Sequence, residues 1–139
     1  MRGGSKRLAS ESANGQNNSF YIDSFESNGF WVDGISNVLD PMLGAGNTHV
    51  AWSFRRAPKF FDVVTWTGNG GTNRQIAHAL GVAPGMIVIK ATSTTSNWST
   101  YHRSLSSTQH TIDLNLTGGQ TNQGVNVWTI TDTYFVAVS

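Results

Sequence analysis

Histidines, carboxylates, hydroxyls and aromatic rings are the side chains of this chain that could do chemistry, and each chemistry sets a spacing requirement. Four histidines, His49, His78, His102 and His110, would bind zinc only as a converging set of three or four ligands. They lie on separate strand-like segments at no ligand spacing. His78 therefore reads as a residue that bonds across the turn it precedes, and His49 as the start of a strand; three copies of one histidine meeting on a trimer axis stay open. The acids beyond the N-terminal stretch, Asp23, Glu26, Asp33, Asp40, Asp62, Asp113 and Asp132, are scattered and give no facing pair for glycoside hydrolysis. Ser, His and Asp are all present, but no Gly-x-Ser-x-Gly elbow or other nucleophile signature accompanies them. Gly68-Asn69-Gly70-Gly71-Thr72-Asn73-Arg74 has the glycines of a phosphate loop without its lysine or following helix. It reads as a hairpin connection. With no cysteine there is no disulfide, thiolate metal site or cysteine nucleophile. The expectation is a protein that is not an enzyme and takes no cofactor.

Aromatic rings are the better lead. Trp31, Trp52, Trp66, Trp98 and Trp128 are joined by Tyr101 and Tyr134, and sugars bind by stacking their C–H faces on exposed rings. Trp52, Trp66 and Trp128 sit within strand-like alternation and read as core. Asn97-Trp98-Ser99-Thr100-Tyr101-His102-Arg103 follows a polar loop, Thr92 to Ser96, and is the candidate glycan contact, carried by Trp98, Tyr101, His102 and Arg103. On a strand, Trp98, Thr100 and His102 share one face, and Ser99, Tyr101 and Arg103 the other. The competing reading is packing plus a structural arginine pair. Arg55-Arg56-Ala57-Pro58-Lys59 is the one basic cluster, with Pro58 as a stiff joint. Arg55, Arg56 and Lys59 read either as a solvated linker or as inter-subunit contacts.

What must position these residues is a set of short strands. The 139 residues carry a net charge of +1, and only 12% are charged, against roughly 25% in an average domain. The charge gives no case for nucleic acid or an anionic membrane as partner, and no apolar run approaches the ~20 residues of a membrane span. Residues 1–18 are polar, without the apolar centre of a signal peptide, and read as a flexible arm. Beyond them, strand-like runs are Phe20–Phe25, Gly29–Val32, His49–Phe54, Phe60–Thr67, Arg74–His78, Met86–Ala91, Trp98–His102, Thr111–Leu116, Val125–Ile130 and Tyr134–Val138. Turn signals separate them at Asn28-Gly29, Gly44–Asn47, Gly68–Gly71, Gly81–Gly85 and Gly118–Gln120. This spacing predicts an all-β antiparallel sandwich, jelly-roll or lectin-like. Ile76 to Lys90 is its clearest folding signature: Gly81 frees the backbone, Pro84 fixes a corner, and Met86–Ile89 reads as a buried strand. A weak internal echo aligns Ser27-Asn28-Gly29-Phe30-Trp31-Val32 with Thr131-Asp132-Thr133-Tyr134-Phe135-Val136.

Three segments resemble motifs of a known family. His49 to Gly70 (HVAWSFRRAPKFFDVVTWTGNG), Ile76 to Lys90 and Asn97 to Leu105 (NWSTYHRSL) are similar, in that order, to motifs of a β-rich domain family found in tailed-phage virion proteins. Its members include tail fibre-like and other structural proteins, often near laminin-G or lectin-like modules. The resemblance covers about residues 25–139 and carries no assigned chemistry. It implies tandem modules: after an arm at 1–18, a single sandwich-type module at 19–139, with 19–58 the end of one repeat and 59–139 most of the next. The second copy of the echo ends before a further strand. Either the chain is a fragment, or residues 19–54 complete the sheet of residues 60–139. The function implied is that of a virion structural protein of a tail fibre or similar appendage, assembled in the host cytoplasm, with adhesion to a host-surface glycan. Its partners would be itself, as a homotrimer, and other virion proteins, which Arg55, Arg56 and Lys59 could also touch. A capsid decoration or head-fibre protein and a free carbohydrate-binding domain are the alternatives.

Overall fold

A computed structural model describes residues 8–15, 21–33, 46 and 48–138. Most of the predicted 1–18 arm, Asp40 and all but Gly46 of the Gly44–Asn47 turn lie outside the described residues. The protein is all-β: no helix occurs among the described residues, and every strand pairing is antiparallel. The chain divides into two compact units, Met1–Trp52 with Ala91–Asn97, and Ser53–Lys90 with Trp98–Ser139.

The first unit contains one hairpin, β1 (Tyr21–Glu26) and β2 (Gly29–Asp33). Glu26 pairs with Gly29 across the two-residue connection Ser27-Asn28, and a register shift falls between Ile22 and Ser24. The Asn28-Gly29 signal thus marks a real turn. β1 and β2 pair only with each other among the described residues. In the same unit the Ser96 N–H donates to the Ala13 carbonyl at 2.8 Å, so part of the polar N-terminal stretch is held to the 91–97 loop by its backbone.

The second unit contains two sheets. One has the order β3 (Ile76–Ala77), β9 (Tyr134–Ala137), β8 (Trp128–Ile130); the other runs β4 (Met86–Ile89), β5 (Ser99–His102), β6 (His110–Asp113), β7 (Thr121–Asn122). Both give residues to one core: Ile76, Trp128 and Phe135 from the first sheet, Ile87 from the second, and Val127 just before β8. Tyr101 packs on Trp128 with ring centroids 5.7 Å apart, so the sheets meet face to face in a sandwich-type arrangement. Alternation places Ile87 and Ile89 inward, with Met86 and Val88 exposed, as a half-buried strand requires.

Two predicted strands are absent. His49–Phe54 has the right alternation but no ladder partner among the described residues, and every residue from 48 to 56 is exposed. Trp52, expected in the core, is 80% exposed. Phe60–Thr67 forms no strand, and its first residues belong to a turn. Ala57 and Phe61 form an isolated antiparallel bridge, the Lys59 N–H donates to the Leu80 carbonyl, and the Val63 N–H donates to the Asp62 carboxylate. Lys59 sits at φ 61° to make this turn, a left-handed conformation uncommon for a residue with a Cβ. The run still packs: Val64 lies against the core, and Trp66 meets Phe135 edge-on at 5.9 Å. The Gly68–Arg74 segment is consequently no hairpin loop. β3 pairs instead with β9, Ile76 opposite Phe135.

Candidate functional site

The Asn97–Arg103 segment does not present its four candidate residues together. Register decides this. Ile87 pairs with Tyr101, and Val88 with Thr100, which in turn pairs with Ile112. Tyr101 therefore shares the core face with Ile87 and is spent on packing against Trp128. Thr100 and His102 share the opposite face with Met86, Val88 and Ile112. Trp98, one residue before β5, is half-buried; its N–H donates to Asn115 Oδ1 at 2.8 Å, and its carbonyl accepts from the Leu114 N–H and the Thr100 hydroxyl. That hydroxyl is needed, since Thr100 is 2% exposed and a buried hydroxyl without a partner is costly. His102 is exposed, and its Nδ1 accepts the Ser104 N–H at 3.2 Å.

Arg103 leaves the strand for the Pro84-Gly85 corner. Its N–H donates to the Gly85 carbonyl at 2.9 Å, and its guanidinium lies where a Cβ on residue 85 would be. Gly85 is a glycine for room, whereas Gly81, at φ +71°, is one for backbone conformation. Of the four residues, Tyr101 turns to the core, Trp98 is half-buried before the strand, Arg103 is exposed at the Gly85 corner, and His102 is exposed opposite Met86.

The basic cluster also divides. Arg55 is exposed. Arg56 pairs with Asp62, Nε to Oδ1 at 2.6 Å, with the arginine side chain 63% and the aspartate 4% exposed. Asp62 is the residue that sequence reasoning missed. Its carboxylate accepts the Ala79 N–H at 2.7 Å and the Val63 N–H at 2.8 Å, so it ties the 57–63 turn to the segment after β3. The Ala79 N–H and then the Arg56 charge hold the Asp62 carboxyl below its usual range, against the opposing effect of burial. Beside it Phe54, Phe60 and Phe61 form an aromatic group with centroids 5.2–6.5 Å apart, and Phe54 and Phe60 are exposed. The Lys59 side chain is exposed on the same turn.

The histidines have separate tasks. His78 does bond across its turn: Nδ1 accepts the Leu80 N–H at 3.3 Å, and Nε2 lies 3.2 Å from the Thr131 carbonyl. One neutral tautomer, with the proton on Nε2, satisfies both. His110 Nδ1 lies 3.0 Å from Ser107 Oγ, which also accepts the Gln109 N–H; the pair shapes the turn into β6. His49 is exposed. Among the described residues no three of His, Asp and Glu come together to hold a metal ion. Around the β6–β7 connection lies a run of exposed amide–hydroxyl pairs: Gln120 with Ser106, Gln123 with Thr111, and Asn126 with Thr108.

No curated protein and no solved structure matches the chain. Residues 57–138, from the bridged turn at Ala57 through β9, match the domain of unknown function DUF7483, and the chain belongs to that family.

Proposed function

We propose that this chain is a self-associating structural module of a tailed-phage particle, part of a tail fibre or comparable appendage. The observation that carries the reading is the apolar surface left outside the core of a weakly charged all-β protein. Val50, Trp52, Phe54, Phe60 and Val63 are all more than half exposed, and they fall along one stretch of chain. Exposed apolar side chains that gather, as Phe54 and Phe60 do with ring centroids 6.4 Å apart, mark interaction surfaces in soluble proteins. A charge content of 12% leaves little to keep such a surface apart from its neighbours. The motif resemblance over His49–Gly70, Ile76–Lys90 and Asn97–Leu105 supplies the virion context and the expectation of a homotrimer, with Arg55 and Lys59 available to neighbouring virion proteins.

Host-glycan adhesion is the second part of the proposal. It is supported by the half-buried Trp98 and exposed His102 at the two ends of β5 and by the exposed amides at Gln120, Gln123 and Asn126. Tyr101 packs against the core and is withdrawn from this role, while Arg103, over Gly85, is exposed at the end of the same strand. The capsid-decoration and free-lectin readings use the same surfaces and separate by experiment. Antibody labelling of intact particles should decorate the tail appendage; label on the shell would move the protein to the capsid. Glycan-array binding that disappears in Trp98→Ala with the fold intact would support adhesion, and a blank array would remove it while leaving the scaffold role.

A further inference from the structure

We infer that residues 50–54 of one copy add as a strand to the open edge of β4 in a second copy. The inference rests on the reading of the chain as a self-associating module and names the surface through which it associates. Two observations meet in it. The first is a segment with strand chemistry and no sheet: in extended conformation Val50, Trp52 and Phe54 project to one side and His49, Ala51 and Ser53 to the other. Val50 is 83%, Trp52 80% and Phe54 55% exposed, and none of the three main chains has a ladder partner among the described residues. The second is a sheet edge with no strand beside it among the described residues. β4 ends the four-stranded sheet, and its Met86-Ile87-Val88-Ile89 sequence contains no charge and no proline. Natural edge strands are usually shortened, charged or bulged against such pairing.

Among the four strands that end a sheet of the second unit, β4 is the longest and the most apolar. β3 and β7 have two residues each, and β8 is tied to the Thr108 carbonyl by the N–H groups of Val127 and Trp128. An added strand would complete the β4 ladder and lay Trp52 and its neighbours beside Met86 and Val88, both exposed. Aromatic and branched side chains paired across strands stabilise a sheet, and main-chain bonds to an edge supply affinity in strand addition generally. The area is sufficient. Two aromatic and three aliphatic side chains at these exposures hide on the order of 600 Å² per crossing. A reciprocal exchange, with two crossings in one interface, then reaches the roughly 1,200 Å² at which specific interfaces begin, whereas a ring has one crossing at each interface. The occupant is a second copy because one chain carries both halves of the match. A reciprocal exchange closes as a pair, and a one-way exchange closes as a ring only where the rotation between copies allows it.

Sedimentation velocity of the full chain at low micromolar concentration, alone and with Val88→Lys or Trp52→Ser, tests this. Both positions are exposed, so near-ultraviolet circular dichroism should report an unchanged core. The expected result is a dimer or trimer in the parent and an at least tenfold weaker association in each variant, as a charge or a lost aromatic anchor at an interface centre produces. A monomeric parent overturns both this inference and the self-association reading. An oligomer that neither variant weakens overturns the strand addition alone. The absence of cysteine gives an independent arm: differently tagged copies, one carrying Val50→Cys and the other Met86→Cys or Val88→Cys, all on the face shared with Trp52, are mixed and oxidised. A heterotypic disulfide from either mixture supports the pairing, because a bridge needs Cα atoms within about 7 Å. No bridge from both mixtures rejects it.

Discussion

At the scale of single residues the second unit depends on one buried carboxylate. Asp62 accepts two backbone N–H groups and the Arg56 guanidinium, yet its partners are unequal. Asp62→Ala leaves the Ala79 and Val63 donors without an acceptor and should lower stability by about 1–3 kcal/mol in urea unfolding. Arg56 is mostly exposed, so Arg56→Ala should lower it by no more than about 1 kcal/mol. Equal losses would show that the ion pair, rather than the backbone bonds, holds the turn. The carboxyl is held below its ordinary value, and the sign of the pH effect follows. The Asp62 contribution is fully present above the unfolded-state value of about 3.9. It is lost as pH falls through the lower folded value. Asp62→Asn should therefore be less stable than the parent at neutral pH and converge on it in acid. A constant gap down to strongly acidic pH would contradict this.

Gly85 and Arg103 make a second residue-scale test. An added Cβ at Gly85 meets the end of the Arg103 side chain rather than backbone, and Gly85 is not among the positive-φ glycines. Gly85→Ala should cost about 1 kcal/mol in the parent, in the range of coupled contacts. In an Arg103→Ala background the same change should be neutral or stabilising by up to about 1 kcal/mol, because alanine restricts the unfolded chain more than glycine does. A cost unchanged between the two backgrounds would mean that the guanidinium is not what requires the glycine.

At the scale of elements the core is centred on Trp128, which joins the two sheets. Its ring packs on Tyr101, its Nε1–H donates to the His110 carbonyl at 3.1 Å, and it is nearly inaccessible. Trp128→Phe keeps most of the packing and loses the bond, which should cost about 1–2 kcal/mol; Trp128→Ala adds a cavity and should cost about 3–5 kcal/mol. Thermal unfolding measures both, and equal losses would place all of the contribution in the bond. Strands with local punctuation were legible in the sequence: Met86–Ile89 behind Pro84-Gly85, and Gly29–Asp33 at the Asn28-Gly29 signal. What pattern could not supply was pairing. His49–Phe54 alternates as a strand should, and it has no ladder. Thr121–Asn122 is too short and polar to announce itself, yet it pairs with β6. Both segments of the echo, Ser27–Val32 and Thr131–Val136, lie in hairpins, but not in the same register. The two-residue loops are Ser27-Asn28 and Asp132-Thr133, one residue out of step with the sequence alignment, and such a slip exchanges the faces. The same limit separated Tyr101 from Trp98 and His102. Alternation put Tyr101 on the other face, but only the pairing with Ile87 shows which face is the core. Asp62 left no signal, since its role depends on an Ala79 N–H brought near by the fold.

At the scale of the whole molecule, how association responds to salt separates an apolar assembly from a charged one. The net charge is +1 with nine basic and eight acidic residues, so long-range attraction or repulsion between copies is small. Of the basic cluster, Arg56 is already matched by Asp62 within its own chain. If association runs through Trp52, Phe54, Met86 and Val88, no opposite charges are brought together. Raising ionic strength from about 0.05 M to 1 M, which shortens the screening length to roughly 3 Å, should leave the sedimentation profile nearly unchanged. Sulfate should strengthen association, since it favours removal of apolar surface from water. Cooling should weaken it, because the hydrophobic contribution fades towards low temperature. If sodium chloride instead dissociates the oligomer, the interface is electrostatic, and Arg55 and Lys59 become its first candidates. Arg55→Glu with Lys59→Glu should then abolish association, whereas an apolar interface predicts that this double variant assembles like the parent.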